Sequence, residues 1–458
     1  MAALTGVAGI VLAGPLASAA DSDEKPTGSP EFGMDTVVVE ADRLDLDRDT
    51  ASGALGTKSL LDTPFSVTVV DASEISRRQA TTVAEVFLND PSVFSYSAPA
   101  TTNWWGAQIR GLGVRNYYID GVALELSWGG EFPLEAVESV EALKGLTGFM
   151  YGFGSPGGLL KYETKKPTDE TMFDVGLTYH NDSAFTGQID AGGRVGQEGR
   201  FGYRVNVATD TGEAYNTAGL NRHLGSVSLD YRISDNLRWH GSAVYEDNRL
   251  EHEPFYFYWD LYEGDRLPTP TYDYKNVTVR NSWYDSETRL ATTGLEWQVN
   301  ENWNADVTVG FSRKLHRSNK MFGDLLNEDG DYAGSAYNFA GLLKNEFLNA
   351  LVQGRVTTGA ISHDLVFGTS LQRTRNQWSN EWYWSNDFDG NIYEPQTFLI
   401  TRDIDFSLAP LGRRHAAERV VRQRYAALRR TLAGHRRRAL HRLRLEGSRR
   451  RSRSRLRL

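Results

Sequence analysis

The sequence predicts two structural units in series, a small α+β domain followed by an antiparallel transmembrane β-barrel. From residue 171 onward, apolar and polar residues alternate over long stretches, which gives each predicted strand one apolar and one polar face. Short turns and long connections alternate between these strands, as periplasmic turns and external loops do in outer-membrane barrels. Beyond the N-terminus, no apolar run approaches the roughly 20 residues of a spanning helix, so any membrane-spanning region must consist of strands.

Composition separates the last part of the chain from the rest. Residues 411–458 contain 18 arginines, no lysine and two acidic residues, whereas the remainder carries 32 basic and 57 acidic side chains. The chain has no cysteine, which excludes disulfides and thiolate metal sites. The two parts are therefore interpreted separately.

The N-terminal residues are typical of an exported protein. Residues 1–20 are uncharged, apolar and small, and Ala17-Ser18-Ala19 fits a signal-peptidase site. The stretch lacks the usual positive charge, so a disordered leader and a start codon misplaced upstream are the alternatives. Residues 21–52 have the composition of a flexible linker, and the β-branched run at 35–41 within it predicts an unpaired strand.

A glycine-dense bend between two predicted strands organises the first domain. The strands are Ser139–Leu143 and Leu159–Thr164, and six glycines and Pro156 accompany the bend. This density indicates sharp turns or a close approach of backbones. Gly152-x-Gly154-x-x-Gly157 also matches the dinucleotide-binding pattern, but that motif needs a following helix, whereas a strand follows here.

The motifs around this bend resemble the plug domain of TonB-dependent outer-membrane receptors for iron–siderophores. The matching residues are Lys144-Gly145, Tyr151-Gly152, Ser155-Pro156-Gly157-Gly158 and Thr164-Lys165-Lys166-Pro167, preceded by Ile109-Arg110-Gly111 and Tyr118-Ile119-Asp120-Gly121-Val122. Lys161 and Glu163 depart from the family pattern, which leaves the local packing open. Upstream, residues 63–70 predict a strand and Asp71–Leu88 a helix, and Asp120-Gly121 predicts a hairpin turn.

The resemblance implies a plug α+β domain followed by an antiparallel transmembrane β-barrel. The barrel is expected to be incomplete, with roughly the first ten strands up to Phe406 against the ~22 of a plugged transporter. The expected division is a signal peptide at 1–20, a leader at 21–52, the plug at 53–168, the partial barrel at 169–407 and an Arg-rich tail at 408–458. Long connections are predicted at Gly212–Arg222, Glu246–Thr292 and Lys314–Lys344.

The resemblance also implies a site for the energy-coupling protein TonB. The family's TonB box corresponds here to the run of Asp35, Thr36, Val37, Val38, Val39, Glu40 and Ala41. This segment would bind TonB as an added strand, in which main-chain hydrogen bonds supply affinity and alternate side chains fix the register.

In this family, plug loops form the floor of a ligand vestibule. Five loop residues are candidates for that floor here: Trp104, Trp105, Arg115, Tyr117 and Trp128. Aromatic faces and an arginine suit a flat, anionic, aromatic chelate, although packing against the barrel wall explains the same residues. The aromatic residues of 255–262 and 378–384 predict either an external lid or loops that pack on one another.

Two hypotheses account for the Arg-rich tail. Its charge would neutralise many phosphates in a nucleic-acid-binding arm. A reading-frame error in GC-rich DNA yields the same Arg, Ala, Leu and Gly composition, and the tail begins where the family still has strands to come. We favour the frame error, and expect no nucleic-acid partner.

These observations predict an exported receptor of the Gram-negative outer membrane that binds an iron–siderophore and imports it when TonB moves the plug. No nucleophile, acid–base pair or protein iron site stands out, so neither an enzyme nor a resident cofactor is expected. The alternatives are import of cobalamin or a saccharide, a passive porin or adhesin, and a non-functional fragment. Two unpaired sheet edges in lipid would be costly, so this chain is expected neither to close a barrel nor to transport.

Overall fold

The computed structural model describes residues 49–51, 57–59, 66–114, 116–125, 131–145, 155–180, 183–411 and 416–432. The predicted signal peptide and most of the leader, including 35–41, lie outside these ranges. The described chain forms an α+β domain followed by a large antiparallel sheet, as predicted. Within these ranges, the helices are all too short or too polar to cross a membrane.

The first domain is built on a five-stranded mixed sheet. Its elements are β1 (Asp49–Ala51), β2 (Thr57–Ser59), β3 (Ser66–Asp71), α1 (Ala72–Arg78), α2 (Val83–Val86), β4 (Val93–Ser95), β5 (Ala107–Ile109), β6 (Leu112–Val114), β7 (Asn116–Ile119), β8 (Val122–Glu125), a 3₁₀ turn (Leu134–Ala136), β9 (Val137–Lys144) and β10 (Gly158–Thr164). The sheet order is β3-β9-β10-β7-β8, with β10 and β7 parallel and the other neighbours antiparallel. Side chains from both helices and from this sheet share one apolar core.

The prediction of a single helix over Asp71–Leu88 is wrong, because the segment contains two helices. Asp71 caps α1 by accepting a hydrogen bond from the Glu74 amide, at 3.0 Å. Gln79 then adopts a left-handed conformation, with φ of 52°, which ends α1. Thr82 begins α2 with a capping box that Glu85 completes. The apolar spacing is helical throughout, but these capping residues divide it.

Two tight turns in the plug explain two of its sequence motifs. In the β7–β8 hairpin, Ile119 pairs with Val122, and Asp120 and Gly121 between them have φ values of 47° and 79°. Asp-Gly favours a turn in which both central residues have positive φ, so the predicted hairpin turn is confirmed. Arg110 and Gly111 form the equivalent turn between β5 and β6, with φ values of 54° and 77°.

Backbones approach each other closely at the end of the glycine-rich bend. The Gly145 amide donates a hydrogen bond to the Gly157 carbonyl at 2.8 Å, which closes the base of the bend. Gly158 has a φ of 139°, and a Cβ atom there would lie 2.0 Å from the Leu143 carbonyl oxygen. Glycine is therefore required at this position, as the sequence predicts. Tyr151 and Gly152 lie outside the described residues.

The second unit is an antiparallel meander. Its strands are β11 (Met172–Tyr179), β12 (Phe185–Val195), β13 (Phe201–Glu213), β14 (Gly219–Ser234), β15 (Leu237–Glu251), β16 (Tyr256–Tyr258), β17 (Trp283–Asn300), β18 (Trp303–Leu325), β19 (Asp331–Thr358), β20 (Ile361–Trp378), β21 (Tyr383–Ser385), β22 (Gly390–Asn391) and β23 (Ala416–Leu432). The main path runs from β11 to β20 in chain order, without β16, and continues to β23. Within the described pairings, β11 and β23 are not joined, so this sheet is an open part of a barrel.

The two faces of this sheet reverse the pattern of a soluble β-sandwich. Apolar residues such as Val175, Val207 and Val309 face outward and are exposed, whereas polar residues such as Asn206 and Thr288 are buried. A sandwich would bury the apolar face instead. An outer-membrane barrel has its apolar band outside and a polar interior, so the observed burial fits a barrel rather than a sandwich.

The predicted long connection at Lys314–Lys344 is wrong, because β18 and β19 run through most of it. These strands have 23 and 28 residues and are joined by residues 326–330 alone. Only ~9–11 residues of a strand are needed to cross a membrane, so both strands extend well beyond it. Gly212–Arg222 is likewise shorter than predicted, with 214–218 as its connection, whereas a long connection at 252–282 is confirmed.

A strand is also present in the Arg-rich tail, where the sequence predicted none. β23 pairs antiparallel with β20 from Gln377↔Ala416 to Ile361↔Leu432. A paired backbone does not identify the reading frame that encodes it. The frame error therefore remains a prediction.

Gly158→Ala should destabilise the plug by roughly 3 kcal/mol or more, because the added Cβ atom meets a backbone carbonyl and the φ is left-handed. The urea midpoint of the refolded full chain, followed by tryptophan fluorescence, measures the effect. Gly113→Ala is the matched control, since a Cβ atom there has open space. Equal midpoints for the two variants would contradict the close approach.

Candidate ligand-binding site

An aromatic cavity of about 380 Å³ lies where the plug meets the extended ends of β18 and β19. Eight rings and two carboxylates line it: Trp104, Tyr258, Asp260, Phe322, Asp324, Tyr337, Phe339, Trp378, Trp382 and Trp384. Phe322 and Asp324 are two residues apart on β18, and Tyr337 and Phe339 are two apart on β19, so each pair shares one face of its strand. The long strands thus carry these side chains to the same place as Trp104 of the plug and the residues from the connections.

Trp104 is the plug's contribution to this cavity. Its side chain is 7% exposed and lies between Tyr284, Phe322 and Phe339, with ring centroids 5.4, 5.5 and 6.3 Å away. The indole N–H has no hydrogen-bond acceptor within the described protein. A buried donor without an acceptor is costly, so this group suits an oxygen atom supplied by a ligand.

Trp105 is 39% exposed and lies beside the cavity rather than in its lining. Its ring centroid is 5.1 Å from that of Tyr256 and 6.1 Å from that of Tyr258. The plug loop and the 252–282 connection therefore meet through adjacent aromatic rings. The sequence left open whether these aromatic residues form a lid or pack on one another. In the structure, some of the rings pack together and others line the cavity.

Tyr117 does not belong to this site, and its predicted role in ligand binding is wrong. The residue is 2% exposed in the plug core, where its hydroxyl accepts a hydrogen bond from the Ala107 amide at 2.9 Å. Burial, with the nearby Glu131 carboxylate, raises the pKa of Tyr117 well above its usual range. Its place on β7 explains the error, because this strand lies between β10 and β8 and its next residues, Tyr118 and Ile119, are buried as well. Arg115 and Trp128 lie outside the described residues.

A buried network holds the plug loop below Trp104. Glu131 accepts hydrogen bonds from Ser97 Oγ and Asn103 Nδ2, both at 2.8 Å, and Asn103 Oδ1 accepts one from the Gly106 amide at 2.7 Å. Burial raises the pKa of the Glu131 carboxyl, although these donors oppose the shift. The loop that presents Trp104 is therefore fixed from below by the plug itself.

A second buried cluster holds the same loop from the barrel side; we call it the Glu253 cluster. Glu253 is 2% exposed and accepts hydrogen bonds from the Thr102 amide and from Thr102 Oγ1, both at 2.7 Å. Tyr256 Oη and Lys320 Nζ complete its surroundings. The plug, the 252–282 connection and β18 thus meet at the Glu253 carboxylate. Its partner in the plug, Thr102, lies two residues before Trp104 in the chain.

The other plug residues that carry sequence motifs form ion pairs and hydrogen bonds within the fold. Lys144 forms an ion pair with Asp90 at 2.5 Å, and this lysine, with hydrogen bonds from Thr68 and Ser92, lowers the pKa of Asp90 to about 2 against the effect of burial. Asp120 accepts hydrogen bonds from Thr164 and from Lys166 Nζ. The departing residues Lys161 and Glu163 pair with each other at 2.7 Å.

Ion pairs join the plug to the barrel wall below the aromatic cavity. Lys165 Nζ lies 2.8 Å from Asp190 on β12, and Arg222 on β14 pairs with Glu135 of the plug. A second cavity of about 860 Å³ lies on this side of the plug, next to the short turns of the sheet. The described residues contain no group of three or more His, Cys, Asp or Glu side chains that would hold a metal ion.

Sequence reasoning missed half of the cavity. Phe322, Asp324, Tyr337 and Phe339 lie in the stretch that was predicted to be a loop, and Glu253 and Asp260 carried no motif. The period-two spacing of these residues was the available signal, since alternate residues of a strand share a face. The predicted TonB box lies outside the described residues.

Comparison with known proteins identifies the first domain and its relatives. Residues 59–159 match the TonB-dependent Receptor Plug Domain family. The chain is 27% identical over 360 residues to the ferrichrome receptor FcuA of Yersinia enterocolitica, covering 75% of this chain and 45% of that protein. It is 24% identical to the ferrichrome outer membrane transporter/phage receptor of Escherichia coli K12, with 79% and 51% covered. The chain spans about half the length of these curated relatives.

Solved structures agree on the fold. The ferric preacinetobactin receptor BauA of Acinetobacter baumannii superimposes with a TM-score of 0.73 at 22% identity, over 84% of this chain and 58% of that one. The ferripyoverdine receptor of Pseudomonas aeruginosa gives a TM-score of 0.66 at 17% identity, over 83% and 51%. The described sheet therefore has the fold of part of such a receptor barrel.

Glu253→Gln should loosen the plug loop at 100–106. Removing the charge leaves Lys320 buried without its partner, which costs about 3 kcal/mol. Hydrogen–deuterium exchange of the peptide that contains Thr102 should become faster by at least about tenfold, since 1.4 kcal/mol corresponds to a factor of ten in local opening.

Glu263→Gln is the control for this measurement, because Glu263 is exposed in the same connection. Exchange at 100–106 should be unchanged in the control. Equal protection in Glu253→Gln and in the unchanged chain would contradict the anchoring role of the Glu253 cluster.

Proposed function

We propose that this chain, a TonB-dependent receptor by its plug domain and by the barrel strands that follow, binds an iron–siderophore complex for uptake across the outer membrane. Its relatives include receptors named for ferrichrome, ferrioxamine B and pyoverdine. The chain itself covers about half of such a protein. Binding is therefore assigned to the residues present here, and transport to the complete receptor.

The aromatic cavity above the plug is the observation that carries this proposal. Flat aromatic faces bind the organic periphery of a chelate through dispersion and stacking, without replacing the ligands of the metal. The free N–H of Trp104 would donate to an oxygen of the chelate. Iron is the cargo in this mechanism and stays inside its own chelate.

Ligand contact at Trp104 would be transmitted to the plug through the loop that carries it. That loop is anchored on one side by Glu131 and on the other by Glu253. A ligand that binds more tightly to a different position of Trp104 would shift the balance between these two anchors. This shift would favour one position of the plug over another, because a ligand stabilises the state that it binds more tightly. The TonB box at 35–41 would then present an unpaired strand to TonB.

Trp104→Phe should weaken binding of a ferric chelate by roughly three- to tenfold, because it keeps an aromatic ring but removes a hydrogen-bond donor. Quenching of tryptophan fluorescence during titration of the refolded chain with ferric siderophores measures the affinity. Trp259→Phe is the matched control, since Trp259 is exposed in the neighbouring connection outside the cavity. Unchanged affinity in Trp104→Phe would remove Trp104 from the site, and failure of ferric siderophores to bind would contradict the proposed function.

Val38→Pro should abolish binding of the purified periplasmic domain of TonB while leaving chelate binding unchanged. Proline removes a main-chain donor and disrupts pairing of an added strand. Val38→Ala keeps the backbone donors and should bind TonB within a few-fold of the unchanged chain. Equal TonB binding by the proline variant would show that TonB does not pair with this segment.

A further inference from the structure

The charge around the aromatic cavity restricts the chemical class of its ligand. Asp260 and Asp324 lie among the rings, and neither carboxylate has a hydrogen bond or ion pair within the described protein. Asp324 is partly buried and Asp260 is exposed. Among the described residues that line this cavity there is no lysine, arginine or histidine. An anionic ligand would therefore meet uncompensated negative charge at close range.

In the part of the chain that the structure describes, the cations near the cavity do not offset these carboxylates. Lys320 lies on the same face of β18 as Phe322 and Asp324, but it is buried against Glu253 and does not line the cavity. Arg402 lies 5.3 Å from the ring of Tyr383, also outside the lining. Burial raises the pKa of Tyr258 to about 12, with the Tyr337 hydroxyl and the carboxylates of Asp324 and Asp260 adding to the shift. The ring hydroxyl thus stays neutral beside this negative charge.

The connections that surround the cavity also carry a net negative charge. Residues 252–282 contain five acidic and three basic side chains, and residues 379–411 contain six acidic and one basic. Residues 326–330 add two acidic side chains and no basic one. A surface of one sign around a cleft raises the local concentration of oppositely charged ligands and lowers that of like-charged ones.

Aromatic rings combined with carboxylates favour a cationic group. Tryptophan and tyrosine faces attract an ammonium through the ring quadrupole, and more strongly when the group is shielded from water. Trp378, Trp382, Trp384 and Tyr258 supply such faces beside the two carboxylates. The anionic, aromatic chelate expected from the sequence relied on Arg115, which lies outside the described residues, whereas the described lining favours a cationic group.

We propose that the ligand is a ferric chelate of zero or positive net charge, with a protonated amine held between the aromatic rings and Asp260 and Asp324. This inference rests on the proposed function. Three hydroxamates lose one proton each and neutralise Fe³⁺, so a trihydroxamate with a free amine has the required charge. Three catecholates lose two protons each and leave a threefold negative charge, which this cavity disfavours.

The experiment compares three chelates on the unchanged, refolded chain. They are a linear ferric trihydroxamate with a free terminal amine, its N-acetylated neutral counterpart and a ferric tricatecholate, each titrated with tryptophan fluorescence as the readout. The amine form should bind about five- to tenfold more tightly than the acetylated form, and the tricatecholate at least about tenfold more weakly than either. Raising the salt concentration should reduce both differences.

Variants of the two carboxylates test their role directly. The double variant Asp260→Asn, Asp324→Asn should reduce the preference for the amine over the acetylated chelate to less than about twofold, because the charge that attracts the ammonium is gone. Asp403→Asn is the matched control: Asp403 is exposed in the same acidic surroundings but outside the cavity lining, so the preference should persist.

The outcomes separate this inference from the proposed function. Binding of the tricatecholate as tight as that of the trihydroxamates, or an equal affinity for the amine and acetylated forms, overturns the charge assignment and leaves the receptor function intact. Failure of all three chelates to bind, in a chain whose plug is folded, overturns the proposed function and this inference together. The ligand comparison uses the unchanged chain and so holds even if the double variant does not fold.

Discussion

The need to satisfy every backbone hydrogen bond in a membrane governs this structure. Hydrocarbon offers no partner to an N–H or a C=O group, so spanning strands must pair along their whole length. The described meander meets this need between neighbours from β11 to β23, with its apolar residues outward. The consequence is a polar inner face, on which Asn206 is buried against Lys165 of the plug. On the same face, Thr288 is buried against Glu246 and Lys314 of the barrel.

The plug meets that interior through polar and charged contacts as well as through apolar ones. Lys165 with Asp190, and Arg222 with Glu135, join it to the wall. Such pairs contribute little net stability, because desolvation offsets their attraction, but breaking one partner is costly. These ion pairs therefore fix the position of the plug more than they raise the stability of the fold. These directional contacts act together with an apolar core that plug residues share with Ala208, Leu224, Val244 and Leu290 of the barrel wall.

Local chemistry determined which features could be predicted from the sequence. The Asp120-Gly121 turn and the close approach at Gly158 follow from φ angles that few residues adopt, so their motifs were informative. Alternation predicted the strands but not their length, since β18 and β19 continue where the composition resembles a loop. Tyr117 was misassigned because a strand residue can face the core or a ligand, and the sequence does not tell which. Contacts such as Thr102 with Glu253 join residues far apart in the chain, for which one sequence carries no signal.

Under the proposed function, the positions of Trp104 and Glu253 would connect ligand recognition with movement of the plug. The Trp104 ring lies in the cavity, while Thr102, two residues earlier, is held by Glu253, which is itself paired with Lys320 on the barrel. A ligand that contacts Trp104 therefore acts on the same short loop that attaches the plug to the wall. Because Glu253 is buried, water compensates little for the loss of any of its hydrogen bonds. Under the proposed function, occupancy of the cavity would therefore reach the plug through this one loop.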